Sequence, residues 1–293
     1  MNPDHDPIYA GIAGVKMIPA EFELGHGIVL RKTYAHFMAP FMMAFSPPEK
    51  GKPHPAPWSA VSGGLAIDMF LQLHIPKDFE QPNFFDRLNT VWWIAALLRL
   101  RGAARVHVPV IAGREFHEVP ENWRDTKMLP VEVLPRRQAS DNAIQELDES
   151  DLIWLRDTWL PGGKLMQTSS VFNDALQAFD GVGSMPSPSV AMVAVWGALE
   201  HLFSPAKQEL RFRVSANIAS FLEPPGDSRL VLHRKIMKLY DARSSVAHGT
   251  RLKSEDAWTE TMALARKTLM KILEMGSVPS KEDMEKNLFS SSL

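Results

Sequence analysis

The chain contains no cysteine among its 293 residues. Disulfides, thiolate metal sites and cysteine nucleophiles are therefore excluded, and a reducing, cytoplasmic location is expected. The sequence also lacks any apolar run that approaches the roughly 20 residues needed to cross a bilayer. Its first ten residues include Asp4 and Asp6 and no apolar block. These absences predict a protein with neither a membrane span nor a signal peptide.

The chain also has no large excess of either charge, because its formal net charge at pH 7 is only −2. Its distribution along the chain is nevertheless uneven. Residues 204–253 contain ten Lys and Arg against four Asp and Glu, whereas residues 115–157 contain eleven acids against five bases. A local basic excess is what a phosphate-binding surface requires, although solvated helix faces produce the same pattern.

Apolar residues in the first half of the chain mostly follow the period of two that is typical of strands. The predicted strands are 21–34, 65–75 and 105–111. A helix is predicted over 83–101, with Gly102 as its C-terminal stop, and the five prolines between Pro47 and Pro57 indicate a loop. This pattern predicts a small α+β domain of unknown role over residues 1–134.

The second half changes to helical spacing. Helices are predicted over 151–160, 171–181, 189–203, 205–222, 227–247 and 254–275. The first should end at Pro161-Gly162, and the polar stretch before it, 135–151, is a linker or domain edge. Capping is assigned to Ser204, to Asp227 or Ser228, and to Ser254. The prediction is an all-helical domain over 135–276 followed by a flexible tail over 277–293.

The segment 238–249 contains the residues best suited to chemistry. Arg243 is spaced to share the apolar stripe of Ile236 and Tyr240, so its guanidinium needs an anion or a solvent-filled cleft. His248 lies about 140° further round a regular helix, and the two converge only where the helix ends. Arginine binds phosphate and histidine transfers protons, which suits phosphodiester chemistry. Spacing alone equally allows Arg243 to pair with Glu200 and His248 to cap the helix end.

Several motifs in this half occur in one order: Trp196-Gly-Ala-Leu-Glu200-His-Leu-Phe203, Glu209-Leu-Arg-Phe-Arg213, Leu239-Tyr240, Arg243-Ser244 and Ala247-His248-Gly249. Together they resemble the Apea-like branch of the HEPN superfamily. The resemblance implies a helical bundle in which Arg243 and His248 form the family's pair of arginine and histidine, four to six residues apart. Many active members carry Asn, Asp or His after the arginine, where this chain has Ser244, which reaches a phosphate less far.

The resemblance implies a metal-independent endoribonuclease that acts as a homodimer, without cofactor, in toxin or phage-defence systems. Ser244, Glu200 and Tyr240 would support Arg243 and His248. RNA is the expected partner, with an antitoxin or defence protein of unknown identity and no membrane. Two alternatives stay open. One is a non-catalytic, dimerising module that binds RNA or nucleotide, and the other is a structural two-domain protein in which Arg243 pairs with Glu200.

Overall fold

A computed structural model describes residues 6–80, 85–133, 144–203, 209–249 and 255–289. The strands are β1 Ile8–Ala13, β2 Val15–Met17, β3 Glu21–Gly25, β4 Ile28–Ala44, β5 Trp58–Ile75, β6 His107–Ala112, β7 Met128–Pro130 and β8 Gln145–Leu147. Six of them form an antiparallel sheet in the order β3-β4-β5-β1-β6-β7, while β2 and β8 form a separate parallel pair.

The helices are α1 Arg87–Arg101, α2 Glu149–Thr168, α3 Ser170–Gly181, α4 Pro188–Phe203, α5 Leu210–Leu222, α6 Asp227–Ala247, α7 Glu255–Met275 and α8 Lys281–Phe289. Seven of these follow the sheet along the chain, which confirms an α+β organisation with a helical second half. Among the described residues, no helix combines the length and the apolar character that a membrane span requires.

The central strand β1 was not predicted from the sequence. Its residues Ile8, Ala10 and Ile12 are buried in the core, whereas Tyr9 and Gly11 face the other side of the sheet. Small residues and burial of nearly the whole strand weaken the alternation that identifies a strand. The predicted strand over 21–34 is in fact two strands, β3 and β4, joined by a turn at His26-Gly27. His26 adopts φ 55° in this turn.

The prediction that the first helix of the second half stops at Pro161 is wrong, because α2 continues to Thr168. Close packing explains the continuation. A Cβ placed on Gly162 would lie 2.8 Å from Leu273 of α7 and 3.0 Å from the ring of Trp93 of α1. Glycine thus allows three helices to meet, and the burial offsets the hydrogen bond that proline removes.

The expected flexible tail is also wrong over most of its length. Helix α8 occupies Lys281–Phe289, with Met284 buried. Its last turn accepts a hydrogen bond from Arg229 Nη1 to the Asn287 carbonyl at 2.9 Å. The four final residues, 290–293, lie outside the described residues. A helix of only nine residues is not stable by itself, so packing against the bundle decides its structure.

The predicted cap of α6 at Asp227 or Ser228 is wrong as well. Gly226 occupies the N-cap position without a side-chain hydrogen bond, and Asp227 is the first helical residue. There its carboxylate lies in the positive first turn of the helix. The predicted caps Ser204 and Ser254 lie outside the described residues.

One continuous hydrophobic core crosses the predicted domain boundary. Trp93 of α1 donates its Nε1 hydrogen to the Trp159 carbonyl of α2 at 2.6 Å. Trp159 in turn donates to the Leu24 carbonyl of β3 at 2.8 Å. Ion pairs add to this contact, Arg99–Asp180 at 2.5 Å and Arg101–Asp151 at 2.7 Å. The helical half therefore packs one side against the sheet domain.

We expect the fragment 135–293 to fold alone as a helical domain with a lower melting temperature than the full chain. The helices contact each other extensively, but deleting the first half removes Trp93 from the core and leaves Asp180 without Arg99. Circular dichroism melts of the fragment and of the full chain measure the difference. A fragment without cooperative helical unfolding would show that residue 134 is not a domain boundary.

Candidate functional site

Helix α6 presents two different faces. Its buried residues Ile236, Leu239 and Tyr240 face the bundle, whereas Arg234 and Lys238 are exposed. The helix ends at Ala247, where Gly249 adopts φ 89° and donates its N–H to the Val246 carbonyl at 3.0 Å. A positive φ of this kind is easily adopted by glycine, which terminates the helix.

Arg243 lies on the inward side of α6 and pairs with Glu200 of α4. Its Nη2 is 3.1 Å from Oε1 of Glu200 and donates a hydrogen bond to Oε2 at 3.3 Å. The two side chains are 21% and 18% exposed, so the pair is mostly buried yet reaches solvent at its edge. The Nε of Arg243 is buried and has no hydrogen-bond partner among the described residues. The pairing that the sequence left open as an alternative is thus present.

Tyr240 forms the floor of this pair. Its ring lies edge-on to the buried Trp196 at 5.3 Å between centroids, and the Arg243 guanidinium carbon is 5.6 Å from its centroid. Burial raises the pKa of the Tyr240 hydroxyl, and its hydrogen bond to the Glu200 carboxylate acts in the same direction. The phenol therefore stays protonated as a hydrogen-bond donor, and Tyr240, Glu200 and Arg243 form one cluster.

His248 lies apart from that cluster. It is the exposed C-cap of α6, and its backbone N–H donates to the Ser244 carbonyl at 3.1 Å. Because α6 stays helical through Ala247, His248 points about 140° away from Arg243 by the 3.6-residue repeat. Among the described residues, no hydrogen bond or ion pair joins the two side chains. Within one chain the structure therefore brings Arg243, Glu200 and Tyr240 together, but not His248.

His248 instead shares a side of α6 with exposed cations. Arg234 and Lys238 are neighbours at i and i+4, and neither forms an ion pair with another described residue. Fourteen residues separate Arg234 from His248, which places them about 40° apart in angle and about 21 Å apart along the axis. We call Arg234, Lys238 and His248 the basic face. The count of Lys and Arg along residues 204–253 revealed the positive charge of this region, but it could not show which of these cations lack an acidic partner.

Other cations of the region have partners: Arg229 donates to the backbone carbonyls of Glu223 and Asn287, and three more are bound to acids. The pairs are Arg211–Asp241 at 2.6 Å, Arg213–Glu209 at 3.8 Å and Lys235–Glu260 at 2.9 Å. Lys207, Arg251 and Lys253 lie outside the described residues. Local pairing thus cancels part of the basic excess of residues 204–253 and leaves the basic face as its exposed, unpaired part in the described region.

A second polar cluster lies on the outer face of the sheet, around a cavity of about 170 Å³. Tyr9 and His74 stack with their ring centroids 4.5 Å apart, and Arg31 bridges Glu21 and Glu115. Burial lowers the pKa of His74, with Arg31 adding to the effect, and burial raises the pKa of Tyr9. Sequence reasoning missed this cluster because its members come from four separate segments.

Beside that cavity, Glu115, His117 and Glu118 bring three ligand-type atoms within 4.8 Å of one another. The sequence had suggested no metal group, although the spacing Glu-x-His-Glu is visible in it. Glu115 is already engaged by Arg31 and accepts from Gln72 Nε2 at 3.2 Å. A cation at this position would have to displace those partners, so the group does not resemble a prepared metal site.

Comparison of this chain with family models, curated proteins and solved structures found no match in any of the three. No residue role is therefore taken from a relative. The roles of Arg243, His248 and their neighbours rest on the motifs of the sequence and on the geometry of α4 and α6.

Proposed function

We propose that the helical half is a HEPN-type, RNA-directed domain that cleaves RNA without a metal ion. The observation that carries the proposal is the basic face, where an exposed histidine lies within about 80° of two exposed cations. These cations have no ion-pair partner among the described residues, and the exposed Asp241, which lies between Lys238 and His248 along the chain, is paired with Arg211. Lys and Arg along one helix face supply the electrostatic attraction that RNA phosphates require. The face is about 21 Å long, which is enough to contact several successive phosphates.

His248 is the proton-transfer group in this proposal. As a base it would take the proton of a ribose 2′-hydroxyl while that oxygen attacks the adjacent phosphorus. The bond from phosphorus to the 5′-oxygen then breaks, and this oxygen receives a proton from an acid. The products are a 2′,3′-cyclic phosphate and a 5′-hydroxyl. Atoms and charges balance without a metal or cofactor.

One histidine cannot serve as base and acid in the same step, so the proposal requires a homodimer. The separation of His248 from Arg243 within one chain leads to the same requirement. A second copy can place its His248 opposite the first, with the phosphate between them. Arg243, held by Glu200 and Tyr240, would then stabilise charge on the phosphoryl oxygens at the edge where it reaches solvent. Ser244 is adjacent and can donate to the same phosphate.

The Arg243–Glu200 ion pair favours a second candidate, a non-catalytic dimerising module that binds RNA or nucleotide. Glu200 neutralises much of the charge that a transition state would need from Arg243. In a purely structural protein the same pair would only connect α4 to α6. The catalytic proposal places the protein in the cytoplasm, in a toxin or defence system with a partner protein of unknown identity.

We expect the purified chain to cleave single-stranded RNA equally in EDTA and in Mg²⁺. The proposed chemistry uses only side chains, so removing divalent ions changes neither the rate nor the product ends. Gel assays with 5′-labelled RNA, followed by phosphatase treatment that distinguishes cyclic from open phosphates, measure both. Cleavage that EDTA abolishes and a divalent ion restores would assign a different nuclease class. Binding without cleavage would favour the module.

A further inference from the structure

The hairpin of β4 and β5 extends well beyond the rest of the sheet. Strand β1 pairs with β5 only between Met69 and Ile75, and β3 pairs with β4 only between Ile28 and Arg31. Beyond Ala35 and Met69, β4 and β5 pair with each other, from His36↔Asp68 to Ala44↔Trp58, and with no other described strand. We call residues 37–45 and 58–67 the arm. At about 3.3 Å per residue its strands project roughly 30 Å.

The arm is apolar and has no charge of its own. Residues 37–48 and 53–67 contain no Asp, Glu, Lys or Arg, and the charges of the hairpin, Glu49, Lys50 and Lys52, are in the turn at its tip. Edge strands that stay in solvent normally carry charges that prevent pairing with other chains. The arm lacks these charges at both of its edges, so we expect another polypeptide to cover it.

Both faces of the arm expose large side chains. Met42 and Met43 point to opposite faces, because both lie in the regular part of the ladder from Met42↔Ala60 to Ala44↔Trp58, where successive strand residues alternate. The exposed fractions are Met38 69%, Phe41 49%, Met42 55%, Met43 50%, Phe45 60% and Trp58 55%. Strands with apolar residues on both faces are typical of strands that are buried on both sides. An isolated two-stranded hairpin, by contrast, is only marginally stable in water.

The exposed area matches what a dimer needs. Side chains of this size present about 150–250 Å² when free, so six that are half exposed offer roughly 600 Å². Two arms together would bury about 1,200 Å², the lower end of specific, stable interfaces. A different protein is a poorer occupant than a second copy of this chain. The arm has no charged residue that such a protein could recognise.

We propose that the arm is a dimerisation device, in which the arms of two copies of this chain pack together about a two-fold axis. The same apolar patch serves both copies, which is the requirement of an isologous interface. Lipid is a poorer occupant, since an open ribbon would carry unpaired edge N–H and C=O groups into hydrocarbon. The inference concerns assembly and holds whether or not the helical half cleaves RNA.

Single cysteines test the pairing directly, because the chain has none of its own. Met43→Cys and Phe41→Cys should give disulfide-linked dimers under mild oxidation. Trp123→Cys, at an equally exposed apolar position outside the arm, should not. Analytical ultracentrifugation of the full chain should show a dimer whose dissociation constant rises at least about tenfold in Phe41→Glu, the usual size of a central contact. Trp123→Glu should leave it unchanged.

Each outcome decides the matter. A wild-type monomer at micromolar concentration, or a dimer that Phe41→Glu does not weaken, overturns the proposal. So does a monomer that binds phosphatidylcholine vesicles through the arm, which would make lipid the occupant. The far-ultraviolet circular dichroism spectrum of Phe41→Glu should match wild type, since Phe41 is half exposed in the single chain, and its melting temperature should fall only by the stability that the dimer adds. A dimer without nuclease activity would support the arm and reject the catalytic proposal, so the two failures are distinguishable.

Discussion

His248→Ala should lower the rate of RNA cleavage about a hundredfold to ten-thousandfold, the usual contribution of a proton-transfer residue. Fold and RNA affinity should hardly change, because the imidazole is exposed at the end of α6. Single-turnover cleavage at saturating protein separates the rate from the affinity.

The matched control is His201→Ala, an exposed histidine in the last turn of α4. It removes the same side chain from a helix end that lies beside Glu200 but does not belong to the Arg243–His248 pair, and its cleavage rate should equal that of wild type. Equal losses in both variants would show that neither imidazole transfers the proton. A wild type that binds RNA but never cleaves it would rule out catalysis altogether and leave the binding module.

Arg243→Ala should reduce the free energy of unfolding by about 3 kcal/mol. Breaking a buried ion pair leaves an uncompensated charge and costs about 3 to 5 kcal/mol, and the lower end applies because both partners are about a fifth exposed. Denaturant titration measures the loss. Combining Glu200→Gln with Arg243→Met removes both charges and should recover much of the stability.

Arg211→Ala is the control for this prediction. The Arg211–Asp241 pair also connects α6 to a neighbouring helix, here α5, but both of its side chains are about half exposed. Exposed pairs contribute only about 0 to 1 kcal/mol, so this variant should unfold close to wild type. A loss as small in Arg243→Ala would show that Glu200 stays solvated and that the pair does not stabilise the bundle.

The RNA affinity of the recovered double variant distinguishes the remaining alternatives. In both RNA-directed proposals it should bind RNA more weakly than wild type, because the phosphate ligand Arg243 is gone although the fold is restored. In the structural alternative its RNA binding should equal that of wild type. Arg243 then has no role beyond connecting α4 to α6.

Local signals predicted the bounds of several elements closely. The helix that ends at Gly102 and the helices that end at Phe203, Leu222 and Ala247 finish where apolar spacing meets glycine or proline. The same local reasoning failed at Pro161 and in the tail. There, packing of Gly162 against two other helices, and of Met284 against the bundle, outweighs local propensity.

The sequence alone determined the α+β organisation, the helical second half and the two open roles of Arg243, because periodicity and spacing are local properties. Only the tertiary structure decided that Arg243 faces Glu200 while His248 faces solvent with Arg234 and Lys238. The direction of a side chain depends on whether its helix continues or ends, and on which neighbour lies opposite. Likewise, the predicted strands covered only 21–34 and 65–75, and only the structure shows that β4 and β5 continue to Ala44 and from Trp58, beyond every neighbouring described strand.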